Sequence, residues 1–372
     1  MHIAYCSNNE AFKKDRLRDK SWSYLFPGSG WITCLYDLAD KLGIDVVSGD
    51  IAIENVLSKK WNPKDVHVIQ EMQSGDGCKL IELGAVQFLI ICFEAPLYAP
   101  FFYDKVDDIS RGFKYGLGFG LSKNWYLRSD SQQGLQFRFP SFYLDDMQQI
   151  CPWSERKKLV LVAANKYRVK NIFIPSQPSI INLLRQLKSV TWQLISPSYR
   201  KSLTESLHDQ RLEAIEYFCS LSELDLYGAG WDFLGMLPLR WNNRLKGFFH
   251  NQYLGRCQNK LETIRGYQVS ICFENMVMPG YMTEKIIDCF VAGTIPLYLG
   301  APDIDKLVPV ESFIDMRKFA SFDQFERYMN SISEHDAINM IEAGREYLKT
   351  KIGKMHSYEG FAESVITLAK TC

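Results

Sequence analysis

Apolar and polar positions follow two repeating patterns along this chain, short hydrophobic runs and longer amphipathic stretches. Residues 2–7 (HIAYCS) read as a strand, and residues 31–42 carry apolar side chains at helical spacing until Gly43 stops them. Residues 44–47, 66–69 and 86–93 resume as strands, with a short helix around 80–83. The pattern then repeats. Residues 157–164 (KKLVLVAA) form a near-continuous apolar run, followed by a helix at 212–220 and strands at 224–227, 269–273 and 294–299. Residues 322–347 and 358–369 read as closing helices. Strands alternating with helices predict mostly parallel sheets, and 372 residues suit two α/β domains. Cys151-Pro152-Trp153 is the expected boundary. It gives an N-terminal Rossmann-like domain at 1–153, a second at 154–340, and closing helices at 341–372.

Charge narrows the function classes. Forty-three basic and 43 acidic residues leave no excess for general nucleic-acid binding, so any electrostatic effect is local. Ten cysteines fall largely inside apolar patterns, without CxxC or HxxxH spacing, and predict buried thiols rather than a metal site. No apolar run approaches the ~20 residues of a membrane span, and MHIAYCSNNE lacks an apolar leader; a cytoplasmic protein is the expectation. One segment is locally unbalanced. Residues 166–201 hold seven Lys or Arg and no Asp or Glu, interleaved with Phe173, Ile180, Ile181, Leu183, Leu184, Leu187, Trp192 and Tyr199. Such an insertion, extending to residue 206, reads as a solvated helical hairpin or as a peripheral contact with an anionic membrane surface at its inner face.

The stretch with the most chemistry is residues 269–302, VSICFENMVMPGYMTEKIIDCFVAGTIPLYLGAP, which reads strand, loop, helix, strand. Glu274 and Asn275 stand at the strand's carboxyl end, where open α/β sheets bind ligands. Pro279-Gly280 marks a turn, Thr283 is placed to cap the helix, and Gly293 to end it. A strand feeding a helix N-terminus offers unpaired amides to an anion, and Lys285 adds a point charge. A nucleotide diphosphate fits those donors; Glu274, Asn275, Tyr281 and Glu284 suit sugar hydroxyls. A capped α/β unit with a surface Lys and Glu fits the same pattern. Glu94 closes an earlier strand in FEAP, where burial beside aromatics would raise its pKa towards that of a general base; an ordinary strand-end acid fits equally. Gly116, Gly118 and Gly120 form a GxGxG that reads as a loop, and Asp303-Ile304-Asp305 a DxD in which Asp303 caps a short helix. Arg138 is a further candidate for positioning a substrate.

FEN, Tyr281, TEKI, Gly293, Pro296 and Gly300, with five residues between Asn275 and Tyr281 and two before Glu284-Lys285, resemble the signature of the α1,3/4-fucosyltransferase family, glycosyltransferase family ten. The likeness spans residues 93–302 and is weakest over the first ninety. It implies a GT-B fold, two Rossmann-like domains facing each other across a cleft, and inverting transfer of L-fucose from GDP-fucose to a glycan or lipid-linked oligosaccharide, of the α1,3-fucosyltransferase type and without an obligatory divalent metal. FEAPLYAPFFYDK is similar to the family's FESP-type segment, which implies Glu94 as the base although Ala95 stands where serine is frequent. Arg211 resembles the family's phosphate-contacting arginine, and Asn275, Tyr281, Thr283, Glu284, Lys285 and Glu274 the rest of its donor site. Animal members carry a membrane anchor and stem; this chain resembles the bacterial-type, soluble members. Transfer from another GDP-sugar, nucleotide-sugar hydrolysis and glycan binding without catalysis are the alternatives.

Overall fold

Each of two sheets is five-stranded and wholly parallel in the computed structural model, which describes residues 1–26, 28–119, 137–167, 180–232, 237–247 and 249–372. The first unit comprises Met1–Asp145 and Lys351–Cys372, the second Asp146–Thr350.

In the first unit, strands β1 (His2–Cys6), β2 (Asp45–Ser48), β3 (Val66–Glu71), β4 (Val86–Cys92) and β5 (Tyr115–Gly118) run in the order β2-β1-β3-β4-β5. Ile3, Ala4, Val68, Ile69 and Leu89 to Cys92 are fully buried, which is why these strands read as continuous apolar runs rather than alternating ones. Helices α1 (Gly30–Leu42), α2 (Gly49–Leu57) and α3 (Gly75–Glu82) are the crossovers. The last helix, Tyr358–Lys370, packs on α1, with Phe361 edge-on to Trp31 at 5.1 Å. Gly116 and Gly118 correct the reading of a loop: they lie in β5, paired with Ile90 and Cys92. Strand propensity undervalues glycine, but β4 pairs with β5 through backbone, not side chains. Gly120 lies outside the described residues.

The second unit repeats the plan. Strands β6 (Lys157–Val162), β7 (Leu224–Tyr227), β8 (Tyr267–Phe273), β9 (Ile295–Leu299) and β10 (Ile314–Asp315) order as β10-β9-β8-β6-β7. Numbered within its own unit, each sheet therefore has the order 2-1-3-4-5, whose switch point in the second unit lies between β6 and β8. After β6 come α4 (Ile180–Ile195), α5 (Pro197–Thr204) and α6 (His208–Ser220); α7 (Lys260–Arg265) leads into β8 and α8 (Glu284–Ala292) joins β8 to β9. Phe218, Leu224, Leu226, Ile271 and Leu297 share one buried cluster between sheet and helices. Gly293 ends α8 at φ +73°, a left-handed cap that donates its N–H to the carbonyls of Cys289 and Phe290. Among the described residues no helix is long and apolar enough to cross a membrane. Phe173 and the rest of residues 168–179 of the basic insertion lie outside the described residues. All ten cysteines are free, four of them half-buried and Cys372 exposed.

Candidate active site

At the carboxyl ends of β6, β7 and β8 a cavity of about 350 Å³ opens in the second unit. It sits at the sheet's switch point, where diverging crossovers leave a crevice that no helix fills. Val162, Ala163, Ala164, Gly228, Ala229 and Cys257 make the small, uncharged part of the wall, and the rest is charged: Lys166, Arg211, Arg256, Lys260 and Lys285, with Glu284 as its carboxylate. Asn275 completes the polar set. Five cations around one acid fit a polyanion with hydroxyl groups attached.

Arg211, Asn275, Lys260 and Lys285 are each fixed by a neighbour. Arg211, in the first turn of α6, turns Nη2 onto the carbonyls of Phe273 (2.8 Å) and Glu274 (3.1 Å) and onto Asn275 Oδ1 (3.2 Å). It thereby satisfies carbonyls left over where β8 ends. Asn275 passes the constraint on, donating Nδ2 to the Tyr281 hydroxyl at 3.2 Å. Lys285 Nζ lies 2.9 Å from Glu274 Oε2, 2.8 Å from Thr283 Oγ1 and 3.5 Å from Glu284 Oε1. Burial disfavours the ammonium charge, but Glu274 and Glu284 outweigh it and hold the pKa of Lys285 above the ordinary lysine range. Burial would likewise raise the pKa of Glu284, yet Lys285 and Lys260 bring it down to about 2. Glu284 thus stays an ionised acceptor on the wall. Lys260 bridges Glu284 (3.7 Å) and Asp288 (2.6 Å), and its own charge is held firmly by the same two carboxylates despite burial.

The predicted residues separate into a wall and a support. Arg211, Asn275, Glu284 and Lys285 line the cavity; Glu274, Tyr281 and Thr283 stand behind it. Glu274 is fully buried and accepts from the Thr283 amide (2.8 Å), the Thr283 hydroxyl and Lys285, so it orients the lysine. Gly300 makes this possible, since a Cβ there would sit 2.5 Å from Glu274 Cγ. Thr283 occupies the N-cap of α8 without capping it: its hydroxyl donates to Glu274 and its oxygen accepts from Lys285 Nζ, a charged donor, rather than from a helix amide. Asp303 does not cap either; its carboxylate takes the Gly280 amide at 2.8 Å and ties down the Pro279-Gly280 turn. Among the described residues no cluster of three His, Cys, Asp or Glu is placed to share a metal ion. Lys166, just past β6, and Arg256 and Lys260, four residues apart at the approach to α7, join the wall without having been among the residues expected at the site.

Glu94 belongs to the first unit, just beyond β4. Its expected burial is corrected: the carboxylate is exposed and Phe93 takes the aromatic nest, 5.7 Å from both Phe137 and Phe139 and 6.0 Å from Trp31. Successive residues leaving a strand face opposite ways, so one position decides which is buried. Arg138 is buried, in the charge environment of the buried His356.

Residues 202–343 match the family model described as "Glycosyltransferase family 10 (fucosyltransferase) C-term". The chain is 32% identical over 115 residues to an alpha-(1,3)-fucosyltransferase of Helicobacter pylori, covering 31% of this chain and 24% of the relative. To the Drosophila melanogaster alpha-(1,3)-fucosyltransferase C it is 30% identical over 101 residues, 24% of each chain. It therefore spans about a quarter of the length of these curated relatives. A solved glycosyltransferase from Rickettsia africae aligns over 100% of this chain and 98% of its own with a TM-score of 0.56 and 9% identity, which speaks to fold alone. The signature residues of 269–302 thus gather around one cationic cavity inside the segment that matches the C-terminal model of the family 10 fucosyltransferases, in a chain of two parallel-sheet α/β units of the GT-B class.

Proposed function

We propose that the protein transfers L-fucose from GDP-fucose to a glycan hydroxyl, with inversion at the anomeric carbon. The observation that carries this is the cavity at the β6/β8 switch point, where Arg211, Lys260 and Lys285 converge with Glu284. In this reading the cations hold the diphosphate, and they stabilise the charge that builds on it as the glycosidic bond breaks. Guanidinium forks and ammonium groups supply that charge themselves, so no metal ion is needed at this position. The Thr283 amide is committed to Glu274, which leaves the work to side chains rather than to that amide. Glu284, held ionised, accepts from a hydroxyl of the ribose or the fucose, with Asn275 beside it. Glu94 takes the proton from the acceptor hydroxyl as its oxygen attacks opposite the leaving GDP. The exposed position of Glu94 suits a group that must meet an incoming acceptor.

Calorimetric titration of the purified chain with GDP-fucose, GDP-mannose and UDP-galactose, with and without EDTA, tests this. The expected result is saturable binding of GDP-fucose in preference to the others, unchanged by EDTA. Equal binding of GDP-mannose would point to another GDP-sugar as donor. Sugar release that no glycan accelerates would identify a hydrolase, and failure of every GDP-sugar to bind would refute the reading.

A further inference from the structure

The helix α4 has its amphipathicity reversed. Ile180, Leu183, Leu184, Leu187, Leu194 and Ile195 are 52–77% exposed, while Gln186 and Ser189 on the same helix are 6% exposed. At ~100° per residue the six apolar side chains fall within an arc of ~120°, and the two buried polar residues lie on the opposite side. The inner side is occupied by the hairpin itself: Ser189 Oγ and the Tyr199 hydroxyl are 2.9 Å apart, and Trp192 stands edge-on to Tyr199 at 5.4 Å. Among the described residues the stripe therefore has no interior left to turn into. Contiguous apolar surface of this kind marks a contact with something else.

The charges around the stripe say with what. Lys188 flanks it, its ammonium 4.7 Å from the Trp192 ring. Arg200 reaches back to the carbonyls of Gln193 (2.7 Å) and Leu194 (3.1 Å), beside the last exposed leucine, and Lys201 follows it, exposed. No Asp or Glu occurs between Lys166 and Thr204. A second copy docking on this face would set like charges against one another, whereas an acidic lipid surface accepts both the apolar stripe and its basic border.

We propose that the α4–α5 hairpin seats the protein on an anionic lipid bilayer, the leucine stripe entering the interface and Lys188, Arg200 and Lys201 meeting the headgroups. This goes beyond the donor site and does not depend on it. On the transfer reading, it would keep the protein where lipid-linked acceptors are displayed.

Co-sedimentation of the full chain with phosphatidylcholine vesicles, with and without phosphatidylglycerol, provides the test. Pelleting with the anionic vesicles, reduced by salt, is expected. Leu184→Gln with Leu187→Gln abolishes it, and Lys188→Gln and Lys201→Gln each weaken it about fivefold. All four side chains are exposed, so thermal melts and GDP-fucose titrations of these variants stay at wild-type values. Absence of pelleting, or pelleting unaffected by the leucine pair, overturns the proposal. So does concentration-dependent self-association that the leucine pair relieves without any vesicle binding, which would assign the face to a second copy.

Discussion

Lys285 has two roles that one substitution confounds and a pair of substitutions separates. Its ammonium faces the cavity and also neutralises Glu274, which is fully buried and 2.9 Å away. Lys285→Met leaves that carboxylate in the core with only the Thr283 amide and hydroxyl as donors. Stranding one partner of a buried ion pair costs about 3–5 kcal/mol. For a unit of this size that lowers the melting transition by about 6–20 °C. Glu274→Gln added to Lys285→Met removes the stranded charge while keeping an amide that can accept from Thr283, and should recover most of that loss. Donor binding should not recover. A charged hydrogen bond to phosphate is worth about 1.5–3 kcal/mol, so the double variant should bind GDP-fucose roughly ten- to a hundredfold more weakly than wild type. Differential scanning calorimetry and isothermal titration on the three proteins read the two effects independently. Wild-type affinity in the double variant would show that Lys285 serves only to neutralise Glu274. A single variant as stable as wild type would refute the buried-pair argument.

Glu94→Gln should lose about 10²–10⁴-fold in turnover while binding GDP-fucose normally, which a transfer assay beside calorimetry would show; loss of donor binding would contradict a base separate from the donor site. Lys260→Met combined with Asp288→Asn, so that no buried acid is stranded, should weaken GDP-fucose binding about tenfold or more, with a melting temperature near wild type. Because Glu284 has its pKa depressed from 4.5 to about 2, its contribution to stability is complete above pH 4.5 and is lost as pH falls towards 2; donor affinity should be insensitive to this group between pH 7 and 5. His356 is fully buried, and burial together with Arg138 lowers its pKa from 6.5 to about 3. Below pH 6.5 the unfolded chain takes up a proton that the folded one refuses, so stability of the first unit should fall by up to about 1.4 kcal/mol per pH unit. Thermal melts at pH 7 and 5 on wild type and His356→Gln would check it, the variant showing the shallower dependence.

The sheet strands were legible because they are buried on both faces: residues 86–93 and 157–164 are apolar throughout, and they form β4 and β6 to within two residues at their ends. β5 was not legible, since two of its four residues are glycines whose place in the sheet depends on backbone pairing. The signature at 269–302 lies at the cavity as one piece, because strand, turn and helix are contiguous and their geometry is local. Which of its side chains face the ligand was a finer question. Glu274 and Thr283 look as exposed in sequence as Glu284 and Lys285, and only the close approach at Gly300 and the Thr283 amide reveal that they point inward. Lys166, Arg256 and Lys260 come from segments scattered over nearly a hundred residues, and no spacing rule joins them. The exposure of Glu94 turned on a single step of strand alternation between it and Phe93.

A crystal structure of the protein grown with GDP tests the central claim most directly. The account predicts the two phosphates in the second unit's cavity, within hydrogen-bonding reach of Arg211, Lys260 and Lys285, with Glu284 turned towards a ribose hydroxyl or the sugar subsite. GDP bound elsewhere, or bound in the cavity with its phosphates turned away from those three cations, would contradict it.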